Sequence, residues 1–135
     1  MSLSEAGEFS KGVRFSEKLQ RTWAYRPPGS RTSQVLRYLG RTNEVSRQRM
    51  NALIAHVDEY GFHQSETRYR SVGGGLVELK VGKPRAIRIL VYRLPQGGHV
   101  LLLGFDKIEE TIPSDVMNRA QTMAREFEKG GAQLE

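Results

Sequence analysis

Cysteine is absent from the 135 residues, which excludes disulfides, thiolate nucleophiles and cysteine-ligated zinc or iron–sulfur centres. No apolar run approaches the ~20 residues a membrane-spanning helix needs, and the opening MSLSEAGEFSKG lacks the apolar stretch of a secretion signal. A cytoplasmic location with no membrane partner is therefore expected. Histidine is sparse: His56, His63 and His99 are scattered with no HExxH spacing, so neither a metal nor a cofactor is expected. A GxSxG nucleophile elbow is also missing. Gly73-Gly74-Gly75 followed by Gly82-Lys83 is not a phosphate loop. Six residues separate Gly75 from Gly82, and Pro84 stands where such a loop needs Ser or Thr.

The length suits one domain, and 38% hydrophobic with 27% charged residues suits a globular chain. Acidic residues are few early on. Residues 1–49 hold ten Lys or Arg against four Asp or Glu, and the net charge of the chain is +6. Residues 68–93 carry Arg68, Arg70, Lys80, Lys83, Arg85, Arg88 and Arg93 against Glu78 alone. Arginine outnumbers lysine 15 to 6, and its planar fork suits phosphate. Such clustering favours a polyanionic partner, while a solvated strand face remains the alternative.

Residues 1–17 are expected to be a flexible tail, residues 18–131 the domain, and residues 132–135 a disordered end, with Leu134-Glu135 resembling a vector junction. LQRTWAYR predicts a strand over 19–26 with Leu19, Trp23 and Tyr25 on one face. Ser33 can cap a helix that Gly40 ends, and Thr42 a second helix with Met50, Leu53, Ile54 and Val57 as its stripe. Strands follow over 76–81, 86–93 and 99–105, the last apolar on both faces and so the most buried. Pro113 fits the first turn of a terminal helix bearing Val116, Ala120, Met123 and Phe127, ended at Gly130-Gly131. The fold class is α+β, in the order β-α-α-β-β-β-α, with an antiparallel sheet packed by a helical hairpin and a C-terminal helix.

Arg88, with Lys83 and Arg85 nearby, lies on the second of the three later strands, and Lys107 just past the third. Adjacent strands lie about 5 Å apart, so both cations could meet one phosphate. Cleavage of RNA through its 2′-hydroxyl needs a base, an acid and cations to stabilise the charge on phosphorus, and needs no metal. On the residues alone, Arg88 and Lys107 could equally solvate sheet edges.

Family-like stretches are Gly75-Leu76-Val77-Glu78-Leu79-Lys80, Ile87-Arg88-Ile89-Leu90-Val91-Tyr92, and Leu103-Gly104-Phe105-Asp106-Lys107-Ile108 followed by Ile112-Pro113 and Ala120. They resemble G-x-L-x-E-L-R, Y-R-I-L-Y-F and H-G-F-x-K-K-x-x-x-T-P in the RelE/ParE toxin superfamily, nearest its HigB-type, phage-derived branch. The resemblance runs from Ser33 onward. It implies a RelE-like fold and the toxin of a toxin–antitoxin pair, a ribosome-dependent mRNA endonuclease inhibited by a helix-turn-helix antitoxin. It also implies Arg88 and Lys107 at the scissile phosphate. Tyr92, Asp106 and His99 are candidates for the base, and Lys80, Lys83, Arg85 and Arg70 would hold RNA. The chain departs from the pattern at Ile108, Glu109, Glu110 and Ile112, which remove a cation and a hydroxyl and add negative charge. A ParE-like, gyrase-directed toxin or an inactive RNA- or ribosome-binding protein is the alternative.

Overall fold

The computed structural model describes residues 12–14, 19–27, 29–63 and 66–131. Its elements are β1 (Gly12–Arg14), β2 (Thr22–Tyr25), α1 (Gln34–Arg41), α2 (Glu44–Tyr60), β3 (Tyr69–Gly73), β4 (Leu76–Val81), β5 (Ile87–Arg93), β6 (His99–Asp106) and α3 (Ser114–Gly131). The strands form one sheet in the order β1-β2-β6-β5-β4-β3. This α+β architecture is compatible with a RelE-like fold.

Three expectations need correcting here. The sheet is mixed, because β2 and β6 run parallel; the long excursion through α1, α2 and the β3–β5 strands supplies the crossover a parallel pair needs. Two strands were not expected. β1 lies in the supposed flexible tail and pairs with β2. β3 is a polar edge strand that makes a hairpin with β4 across Gly74-Gly75, where positive φ angles of 65° and 79° suit glycine. The rest of the tail and residues 132–135, with the suspected vector junction, lie outside the described residues.

Local chemistry explains the helices. Ser33 caps α1 by accepting the Leu36 N–H at 3.0 Å. Gly40 does not end this helix; it runs to Arg41, and Thr42 closes it by donating its hydroxyl to the Leu39 carbonyl at 2.9 Å. Thr42 is thereby used up, and Asn43 caps α2 instead, accepting the Ser46 N–H at 2.8 Å. Pro113 precedes the first turn of α3, its carbonyl accepting the Met117 N–H at 3.1 Å.

The sheet separates two cores. On one face Val35, Tyr38 and Leu39 of α1 and Met50, Leu53, Ile54 and Val57 of α2 pack on Val77, Leu79, Val81, Ile87, Ile89 and Val91. On the other, Ala120, Ala124 and Phe127 of α3 pack on Leu76, Leu90, Val100, Leu102 and Leu103. Trp23 and Tyr25 join the α3 side, whereas Leu19 joins the α1–α2 side. The strand starts only at Thr22, so Leu19 belongs to an irregular lead-in rather than to the alternation. Buried Asp58 of α2 pins that lead-in by accepting the N–H groups of Gln20 (3.1 Å) and Arg21 (2.8 Å) and the Thr22 hydroxyl (2.8 Å).

A bulge in β6 decides what happens at its far end. Leu103 pairs with Leu90 and Leu101 with Val91, so Leu102 is an extra residue in the ladder. Leu102 and Leu103 both enter the α3-side core, and the in–out alternation slips by one. Phe105 and Lys107 therefore turn to the α3 side, while Gly104 and Asp106 turn towards Tyr38 of α1.

Candidate functional site

On the α3 side of the sheet, the ends of β4, β5 and β6 and neighbouring β3 carry a cluster of ionic residues. Lys80 stands opposite Arg88 across β4–β5, Arg88 opposite Phe105 across β5–β6, and Arg70 opposite Glu78 across β3–β4. Lys107 follows β6, and its N–H extends the ladder to the Ala86 carbonyl at 3.0 Å. These side chains and the loop over residues 108–113 line a cleft of about 100 Å³. That is well below the roughly 300–1,000 Å³ of a small-molecule pocket, and its polar lining suits a single anionic group.

Arg88 is 8% exposed and Glu78 only 3%. A buried arginine is costly unless its charge is answered and its N–H groups find acceptors. One terminal nitrogen of Arg88 donates to the carbonyls of Val81 (3.0 Å) and Ile87 (2.9 Å), and its Nε lies 3.8 Å from Glu78 Oε2. The other Glu78 oxygen accepts from Arg70 Nε at 2.7 Å. Glu78 thus sits between two arginines. At the rim, Lys107 Nζ is 3.0 Å from Glu110 Oε1, and a terminal nitrogen of Arg70 reaches the Glu110 carbonyl at 3.5 Å. The Glu110 carboxyl is held below its usual range, first by the Lys107 hydrogen bond, then by the Lys107 charge, with Arg70 and Arg88 adding to it. Four cations, Arg70, Lys80, Arg88 and Lys107, face three carboxylates, Glu78, Glu109 and Glu110.

The other expected site residues fall elsewhere. Arg85 pairs with Asp106, whose carboxylate also accepts the Tyr38 hydroxyl at 2.6 Å, on the α1 side of the sheet. Burial acts to raise the Asp106 pKa, but the hydrogen bonds from Tyr38 and Arg85 and the Arg85 charge outweigh it, and the net shift is downward. Lys83 lies in the β4–β5 turn, where its carbonyl accepts from Arg49 at 2.7 Å. Tyr92 is four residues along β5 from Arg88, about 13 Å, in a groove with Leu76, Ala124 and Glu128. Burial, then the charge and hydrogen bonding of Glu128, raise its pKa. His99 is buried edge-on to Phe62 at 5.0 Å. Burial pushes its pKa down to about 4, with Asp58 opposing and Arg93 and Arg21 assisting. So the cleft gathers Arg88, Lys107, Lys80 and Arg70, and leaves out Tyr92, Lys83, Arg85, Asp106 and His99.

Glu78 and Glu110 were not among the site residues expected from the sequence. Glu78 reads there as an outward strand charge, and only its cross-strand arginines account for its burial. Glu110 stands there as a departure that adds negative charge, and with α3 beginning only at Ser114 it turns back to Lys107. Among the described residues no group of three or more His, Asp or Glu is placed to hold a metal ion, and no helix is long and apolar enough to cross a membrane.

Residues 37–125 match the family model described as phage derived protein Gp49-like (DUF891). The chain belongs to the Gp49-like family. That family lies in the RelE/ParE-like toxin clan. No curated protein matches the chain. The Gp49-like match contains the whole cleft, from Arg70 to Pro113.

Proposed function

We propose that this Gp49-like protein is the toxin of a HigB-type toxin–antitoxin pair, a cytoplasmic endoribonuclease that cuts mRNA on the ribosome and is restrained by a helix-turn-helix antitoxin. The observation that carries this reading is the convergence of Arg88 and Lys107 in one small anionic-group cleft. In the reaction, the 2′-oxygen of the target nucleotide bonds to phosphorus as the bond to the 5′-oxygen breaks. This leaves a 2′,3′-cyclic phosphate and a 5′-hydroxyl. Arg88 and Lys107 stabilise the charge that builds on the phosphoryl oxygens, which is where fixed cations contribute most. Arg88 suits that task because its carbonyl and carboxylate contacts hold it in place before the substrate arrives. Lys80 and Arg70 hold the flanking backbone.

The base is assigned differently from the sequence expectation. Tyr92 is too far along β5, and its hydroxyl resists ionisation. Glu78 is committed to two arginines and Glu110 to Lys107, so Glu109 at the rim is the group left to take the 2′-hydroxyl proton and return it to the departing 5′-oxygen. Induced expression should arrest growth and produce new mRNA ends within translated reading frames; growth arrest with intact mRNA would defeat the nuclease reading.

The ion pair of Glu110 with Lys107 favours a second reading. In it, the cleft binds without cutting, as in a ParE-like toxin directed at gyrase or an inactive RNA-binding protein. DNA-damage signalling with intact mRNA would select the gyrase-directed form, and salt-sensitive RNA binding without growth arrest the inactive one.

A further inference from the structure

Lys80 lines two depressions at once. Besides the cleft, it borders an open groove between α2 and the end of β4, whose walls include Arg49, Ala52 and Leu53 of α2, Arg68 and Lys83. Half of the eight residues lining this groove are cations, and no carboxylate lines it. Arg68 is already answered by Glu66, which meets its Nε at 2.9 Å and a terminal nitrogen at 2.8 Å. Arg49 is different. Among the described residues it is tethered through one terminal nitrogen to the Lys83 carbonyl at 2.7 Å, which fixes its guanidinium at the wall without neutralising it. Among the described residues, Lys80, Lys83 and Arg49 have no carboxylate within ion-pair distance.

We infer that the Arg49–Lys83 groove is a second binding site for single-stranded RNA, holding the backbone that leaves the cleft past Lys80. The inference rests on the RNA reading of the cleft and extends it to a surface on the other side of the β4 end. Continuity supports this occupant. Lys80 and Arg88 are register partners, with Cα atoms about 5 Å apart, so a strand whose phosphate meets Arg88 passes Lys80 next. The roughly 100 Å³ cleft admits a single backbone, which favours a single strand over a duplex. An acidic protein segment is the rival occupant; it would use the cations but has no reason to depend on Lys80 and the cleft together.

The test uses the full chain and fluorescein-labelled 2′-O-methyl RNA, which cannot be cut because the attacking hydroxyl is blocked. Binding of a trimer and of a dodecamer is measured across a salt series. Arg49→Ala/Lys83→Ala is expected to weaken the dodecamer about tenfold and lower its log–log salt slope by about 1.4, two cations at ~0.7 each. The trimer should be unaffected. Lys83→Ala alone, which keeps the backbone acceptor for Arg49, should lower the slope by about 0.7. Arg88→Ala/Lys107→Ala should weaken both oligonucleotides. Unchanged dodecamer binding in the groove variants, with loss in the cleft variant, overturns the groove and leaves the cleft reading standing. No RNA binding by the wild type overturns both, and polyglutamate binding that the groove variants lose while their dodecamer binding is unchanged overturns the groove in favour of an acidic protein segment.

Discussion

Replacing Glu78 by glutamine keeps the shape of the side chain and removes its charge from between two arginines. The cost follows from burial. Arg70 is half-exposed, with 49% of its side chain accessible, so it returns to water and loses about 1 kcal/mol of hydrogen bonding. Arg88, 8% exposed, cannot do so. Breaking a fully buried ion pair costs about 3–5 kcal/mol. Here the carbonyls of Val81 and Ile87 still hold Arg88, and the 3.8 Å separation from Glu78 is a charge contact rather than a hydrogen bond. About 2 kcal/mol for that part, and about 3 kcal/mol for Glu78→Gln in all, is the expectation. Arg88→Met should cost about 2 kcal/mol, because Glu78 keeps Arg70. The double variant buries no lone charge and should cost at least 1 kcal/mol less than the sum of the two. Equilibrium urea unfolding at pH 7 reads all three; with a slope of about 1.5 kcal/mol per molar, Glu78→Gln should lower the midpoint by about 2 M. Additivity within about 0.4 kcal/mol would refute the claim that Glu78 answers the charge of Arg88.

Gly104→Ala should destabilise by about 1–3 kcal/mol, because its Cβ would stand 2.8 Å from Cγ of Tyr38, whose hydroxyl is anchored on Asp106; urea midpoints of Gly104→Ala and Gly104→Ala/Tyr38→Leu, the second partly recovered, check this. His99 carries a folded-state pKa of about 4 against 6.5, so the unfolded chain binds the extra proton between those values. Stability is fully present above pH 6.5 and falls as pH drops toward 4, by about 3 kcal/mol at most; His99→Gln should flatten the part of the curve between pH 6.5 and 5, where carboxylates contribute little. Glu110→Gln removes the carboxylate competing for Lys107 and should tighten binding of uncleavable RNA about threefold, as read by fluorescence anisotropy; unchanged affinity would contradict competition at that lysine.

Periodicity carried most of the fold. The stripe Met50, Leu53, Ile54 and Val57, the alternation of Ile87, Ile89 and Val91, and the doubly apolar strand at 99–105 all reflect burial, and all are buried except half-buried Phe105. β3 escaped because an edge strand with few buried residues can be polar, and Tyr69-Arg70-Ser71-Val72 shows little alternation. The parallel β2–β6 pair joins residues far apart in the chain, which no local pattern reports.

The candidate site was readable in its cations and not in its geometry. Strict alternation from Leu101, which faces α1 and α2, would turn Lys107 to that side, away from Arg88. The extra residue Leu102 reverses this, and in an unbroken run of leucines a bulge leaves no mark. Tyr92 shows the converse. It shares a face with Arg88, yet position along the strand, not face, separates it from the cleft.

The central claim is that Arg88 and Lys107 together act on one RNA phosphate. Its most direct measurement is single-turnover cleavage of mRNA by the purified protein on translating ribosomes, with the new ends characterised chemically. The account predicts 2′,3′-cyclic phosphate and 5′-hydroxyl ends, and a loss of at least a hundredfold in rate for Arg88→Ala and Lys107→Ala, each about 3 kcal/mol of transition-state stabilisation. Folded variants that still cleave at the wild-type rate would contradict it.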